Sequence, residues 1–158
     1  MAIVQSMPTN FKTGLLSCAH NFSPSNRAVT ASTSDVFYIA LYTSSATLDN
    51  TTTVYTATEE ITNTSGSSYV AGGIALTIAT IPTPDTVANA GYISFSPAVW
   101  TIADFTTRGA LIYNSSNGNL AVAVLNFGVD KTVSGGGTFT ITFPTYATNT
   151  TVAAVQLS

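Results

Sequence analysis

From Asp35 onward, segments of five to nine residues rich in Val, Ile, Thr, Tyr and Phe alternate with clusters of Gly, Asn, Pro and Ser. That punctuation is the pattern of short β-strands joined by turns. Strands are predicted near 35–43, 52–57, 74–81, 91–96, 98–102, 105–114, 119–128, 137–143 and 151–157. In GTFTITF, Phe139, Ile141 and Phe143 alternate with Thr138, Thr140 and Thr142, which gives a strand one dry and one wet face. LAVAVLNF, 120–127, is apolar at nearly every position, as in a central strand covered on both faces or one whose outer face meets another subunit. Asn117-Gly118 tolerates the positive φ of a tight turn and predicts a hairpin there. The fold expected is all-β, an antiparallel β-sandwich of jelly-roll type with a short N-terminal arm.

Ahead of that body, Phe11, Leu15, Leu16, Ala19 and Phe22 recur at roughly helical spacing. They predict one short helix, capped by Thr9 or Asn10 and stopped by Ser23 and Pro24. The turn-forming stretch 23–35 separates this arm from the body, giving an arm over 1–34 and a sandwich domain over 35–158. Residues 55–73, with Glu59-Glu60 and Gly72-Gly73, read as a long loop with room for one helical turn. Residues 81–91, with Pro82 and Pro84, read as a surface connection.

Only 7% of the 158 residues are charged, so the polar surface is made mostly of Thr, Ser, Asn and backbone. An ordinary domain is about a quarter charged. A hydroxyl finds a buried partner more cheaply than a charge does, so such a surface suits burial against other subunits. The only cations, Lys12, Arg27, Arg108 and Lys131, neutralise few phosphates, so nucleic-acid binding is not expected. No run of apolar residues is long enough to span a membrane, and MAIVQSMPTNFK lacks the basic and apolar regions of a secretory signal. The five Asn-x-Ser/Thr triplets follow from composition, and no glycan is expected on them.

Candidate chemistry is sparse. Cys18, the only cysteine, and His20, the only histidine, stand two residues apart, a spacing unsuited to a nucleophile and its base. Glu59 and Glu60 match neither a glycosidase pair nor a calcium loop and read as a solvated acid pair, as NSSNGN at 114–119 reads as a solvated loop. SGGG at 134–137 precedes a strand instead of a helix and reads as a flexible turn. No enzymatic activity, cofactor or metal is expected. Trp100, Tyr113, Phe127 and Phe139 read as core, and Arg108 as pairing either within the sheet or across an interface, with Gly109 allowing close approach beside it.

The stretch 92–144 contains an aromatic strand, a Trp-Thr pair, an Arg-Gly-Ala strand, a hairpin, and Phe-Gly ahead of a Gly-Thr-Phe strand. With ALYTSSATLDNTTTVYTATEEI, YVAGGIAL and FKTGLLSCAHNF, it resembles a small family of tailed-phage virion structural proteins. The resemblance implies a capsid decoration, or cement, protein that binds the outer surface of the virion and bridges major capsid subunits, with the major capsid protein as partner and self-association as a homotrimer. The alternative is a tail- or fibre-associated protein that recognises host glycan through Tyr55, Tyr69 and Tyr146. The apolar arm residues Ile3, Val4, Phe11, Leu15 and Leu16, with Arg108, are the expected subunit interface, although the arm packing back on its own body is an open alternative.

Overall fold

The computed structural model describes residues 2–23, 34–62, 67–86, 90–144 and 155–157. One helix, α1 (Thr9–Leu16), precedes β1 (Phe37–Tyr42), β2 (Ile74–Leu76), β3 (Ile78–Asp85), β4 (Ala90–Phe95), β5 (Ala98–Asn114), β6 (Leu120–Ile141) and β7 (Val155–Leu157). The strands form two antiparallel sheets, ordered β2-β1-β5-β6 and β3-β4-β7.

The sequence FYIALY of β1 is apolar on both sides of the pleat, so both faces of the first sheet must be covered. Phe37, Ile39 and Leu41 share one cluster with Ile93, Phe95 and Val155 of the second sheet and with Phe11 of α1. Ala40 and Tyr42 point the other way, to Leu111, Tyr113, Ala121 and Val124, and are covered by Ile3, Ala46 and Leu48. Fully burying an aliphatic or aromatic side chain contributes about 1.5–3 kcal/mol. The arm and the 43–61 loop are therefore part of the core. Ile3 bridges Leu48 and Ser6 bridges Val124 to hold the arm there.

The helix is shorter than its apolar spacing predicts. Pro8 stands at its N-cap without a side-chain capping bond, and Cys18 takes a left-handed φ of 58° just beyond its end. The chain thereby doubles back, bringing the His20 ring to 4.8 Å from Phe11 and placing Phe22 flat against Phe37 at 4.4 Å.

Where two predicted strands prove to be one, the intervening residues are absorbed into the ladder as bulges. The predicted strands 98–102 and 105–114 are one strand, β5, and 119–128 and 137–143 are one strand, β6. Gly128, Gly135 and Gly136 take positive φ inside β6 at breaks in register, where a bulge continues the pairing instead of ending it. The predicted strand 74–81 divides at Thr77 between the two sheets. Pro82 and Pro84, expected in a surface connection, lie in β3, an edge strand in which a missing N–H is tolerated. The predicted strand 52–57 reduces to a bridge from Val54 to Leu120. Hairpin residues 115–119 do join β5 to β6, with Gly118 at φ 58°. Residues 24–33 of the linker read over 23–35, and residues 151–154 of the last predicted strand, lie outside the described residues.

Gly73 packs so closely under β1 that a Cβ would lie 1.8 Å from the carbonyl oxygen of Ile39, at a φ of +77°. Gly73→Ala is expected to cost about 3 kcal/mol or more. Gly118→Ala, with open space around it, is expected to cost about 1 kcal/mol from backbone strain alone. Urea denaturation of both variants checks the contrast, and equal midpoints would contradict it.

Candidate interaction surface

Strand β1 pairs only with residues 109–114 of β5, so residues 98–107 pair with β6 alone and form a two-stranded ribbon. The ribbon bends sharply at its bulges: Phe127 and Phe139, twelve positions apart on β6, have ring centroids 6.3 Å apart. One side is dry, with Trp100, Ala103 and Phe105 buried beside Tyr69. The other presents Val99 and Ile102 to solvent. Ile102 is 59% exposed and left-handed at φ 54°, a strained state for a β-branched residue.

Along its outer edge β6 is bridged by Val54 at Leu120 and by Ser6 at Val124, and Asn126 donates its amide to the Ile3 carbonyl at 2.7 Å. Beyond that point no strand pairs with the edge among the described residues. Thr132, Ser134, Thr138 and Thr140 are exposed along it, and Asp130 and Lys131 are its charges. Arg108 Nε donates to Asp130 Oδ1 at 2.7 Å, with the two side chains 34% and 46% exposed, so Arg108 pairs at the surface of its own ribbon. Inside the bend lies a groove of about 460 Å³ lined by Gln5, Phe127, Lys131, Phe139 and Thr140 among others.

A buried carboxylate holds the loop that supports this ribbon. Glu60 accepts hydrogen bonds from Tyr55 Oη at 2.6 Å, Tyr69 Oη at 2.5 Å and the Gly72 amide at 2.7 Å. Tyr69 Oη in turn accepts from the Leu41 amide at 3.0 Å, which ties the loop to β1. Next to it, the Ser68 amide donates to the Ile102 carbonyl at 2.9 Å, and Ser68 Oγ bonds the Thr101 carbonyl. Burial raises the Tyr69, Tyr42 and Tyr55 phenols above their ordinary range, and Glu60 adds to each rise. Burial likewise pushes Tyr113, whose Oη donates to the Gly72 carbonyl at 2.9 Å, up to about 12.

The acid pair expected to be solvated is thus split. Glu59, at φ 61°, accepts from Thr43 Oγ1 at 3.2 Å near the surface, and Glu60 turns inward to its tyrosines. Adjacent acids do not disclose this, because the donors come from positions five before and nine and twelve after Glu60. Asn114 of the presumed wet loop is also buried and donates to Asp35 Oδ2 at 2.8 Å. Cys18 is exposed and His20 buried. Among the described residues no three His, Cys, Asp or Glu side chains are grouped to hold a metal ion, and no helix is long and apolar enough to cross a membrane.

The expected interface residues divide between core and surface. Ile3 and Phe11 are buried in their own chain, Leu15 is half-buried against the main core, and Val4 and Leu16 are exposed, Leu16 at 88%. Trp100 and Tyr113 are buried as read, and Phe127 and Phe139 are half-buried against the core. Gly109 allows the close approach read from its position, since a Cβ there would lie 2.4 Å from the Leu125 carbonyl oxygen.

Glu60→Ala strands three donors and is expected to lower stability by about 3 kcal/mol, whereas Arg108→Ala is expected to cost under about 1 kcal/mol, as an exposed pair does. Urea midpoints distinguish them, and a larger loss in Arg108→Ala would contradict the assignment. Because the folded phenols lose protons at higher pH than unfolded ones, their contribution to stability is full below pH 10 and falls as pH rises through about 12. An alkaline titration followed by circular dichroism checks this; unchanged stability from pH 10 to 12 would contradict it. No family model, curated protein or solved structure matches the chain.

Proposed function

We propose that the chain is a structural subunit of a tailed-phage particle, a capsid decoration protein that binds the outer shell and bridges major capsid subunits. The two sheets sharing one core are read as a β-sandwich of jelly-roll type, and the assembled form as a homotrimer on the virion. Its role is adhesive and not catalytic. The observation that carries this reading is the β5–β6 ribbon, with an outer edge free of strands among the described residues, a hydroxyl-rich surface and a strained, exposed Ile102 at its bend.

An open strand edge is a template for pairing with another chain. Hydroxyls and backbone groups lose their water at lower cost than charges, so such an edge suits a tight seat between subunits. On a repeating lattice, several modest contacts per oligomer add up to firm retention, and surface buried only in the closed shell opposes its opening. With Ile3 and Phe11 occupied in their own core, the docking surface is read as the ribbon, aided by exposed Val4 and Leu16. Removing residues 1–22 would take Ile3, Phe11 and Phe22 out of the core and is not a clean test of docking.

The groove inside the bend favours a second reading, a tail- or fibre-associated protein that binds host glycan, because Phe127 and Phe139 lie there beside Gln5 and Thr140. The tyrosines expected to serve that role do not favour it. Tyr69 is buried, Tyr55 is bonded to Glu60, and Tyr146 lies outside the described residues.

Particles assembled with Ile102→Gly provide the test. Relief of left-handed strain is expected to leave the isolated protein as stable or more stable by up to about 1 kcal/mol, while retention on the shell falls and the particles open sooner on heating. Unchanged retention, or binding of the unaltered protein to a glycan array with none to capsids, would overturn the decoration reading.

A further inference from the structure

His20 is 8% exposed and lies between the rings of Phe11 and Phe22, at centroid distances of 4.8 and 6.4 Å. Its Nδ1 is 3.1 Å from Asn114 Nδ2. The orientation of that amide is set on both sides: Nδ2 also donates to Asp35 Oδ2 at 2.8 Å, and Oδ1 accepts from the Ser116 amide at 3.0 Å. Asn114 therefore presents a donor to the imidazole, Nδ1 accepts, and the ring proton resides on Nε2. Nε2 has no hydrogen-bond partner among the described residues and abuts α1, where a Cβ on Gly14 would lie 2.8 Å away.

This pocket accepts the neutral ring only. A proton on Nδ1 would set two donors against each other 3.1 Å apart, and Nε2–H would still lack an acceptor. Around the ring, α1 contributes Phe11 and Gly14, the segment after it Phe22, the end of β5 Asn114, and the entry to β1 Asp35. Asp35 is the ionisable group that acts on the ring and favours the cation; burial outweighs it and holds His20 below its ordinary 6.5.

We propose that His20 is an acid-operated wedge: its protonation releases residues 17–22 from the ends of β1 and β5, and with them α1 from its seat against β6, baring Phe11 and Phe22. The released segment binds a proton with the ordinary affinity of histidine and the closed segment binds it less well. Closure is therefore at full strength above pH 6.5 and weakens as pH falls below it, until the lowered value of the closed state is passed. The device stands apart from the virion reading, since it requires only that the arm be seated on its own body.

Hydrogen exchange on the whole protein tests it, with rates corrected for intrinsic pH dependence. Between about pH 7.5 and about pH 5, protection of residues 9–22 is expected to fall roughly tenfold for each pH unit below 6.5 that lies above the closed-state value. Protection of residues 109–124 and the fluorescence of Trp100, the sole tryptophan, are expected to stay constant. His20→Phe is expected to abolish the fall, and His20→Gln serves if the larger ring does not fold. Equal protection of residues 9–22 at both pH values in the unaltered chain, or the same fall in a folded His20 variant, would overturn the proposal. So would a ring that titrates at or above 6.5 by NMR in the closed protein.

Discussion

A sheet that is apolar on both faces cannot stand alone in water, and that constraint organises this chain. Strand β1 directs Phe37, Ile39 and Leu41 to one side and Ala40 and Tyr42 to the other. The second sheet and α1 cover the first side, and the arm with the 43–61 loop covers the second. Loops on the covering side carry polar groups inward that must be paired. Glu60 supplies that pairing, joining Tyr55, Tyr69 and Gly72 at one carboxylate and setting Tyr69 against Trp100 and Phe105. The conformation of the ribbon thus depends on a carboxylate about forty residues ahead of its bend at Ile102.

Much of the strand content was legible because alternation and turn residues act locally. Phe37–Tyr42, Ala90–Phe95 and the Asn117-Gly118 hairpin follow from neighbouring residues. What local reading missed was continuity: Gly128 and the Gly135-Gly136 pair look like strand ends, yet the partner strand continues past them and the glycines become bulges. Pro82 and Pro84 mislead in the opposite direction, since an edge strand tolerates them. The candidate surface was legible only in part. Arg108 was singled out, but its pairing with Asp130 within one ribbon depends on the bulged register between β5 and β6, which the hairpin alone does not fix. The inward turn of Glu60 rests on donors at irregular spacing within its own loop, and Asn114 facing His20 is distant in the chain, so no motif in the sequence announces either.

The low charge of the chain shows in how its ionisable side chains are placed. Among the described residues, Glu60 is buried among its donors, and Arg108 and Asp130 pair with each other at the ribbon surface. The remaining ribbon surface is largely hydroxyl and exposed aliphatic. Ile102 is held outward in a left-handed conformation at a bulge of the ladder, where its carbonyl accepts from the Ser68 amide. The decoration role proposed above gives that exposed side chain a contact to make.

An image of the phage particle at side-chain resolution tests the adhesive role proposed for the ribbon most directly. Density for this chain is expected on the outer shell, with the β5–β6 edge and Ile102 seated against a neighbouring subunit. Finding the chain on the particle with that edge facing open solvent, or finding no copies on the shell at all, would contradict it.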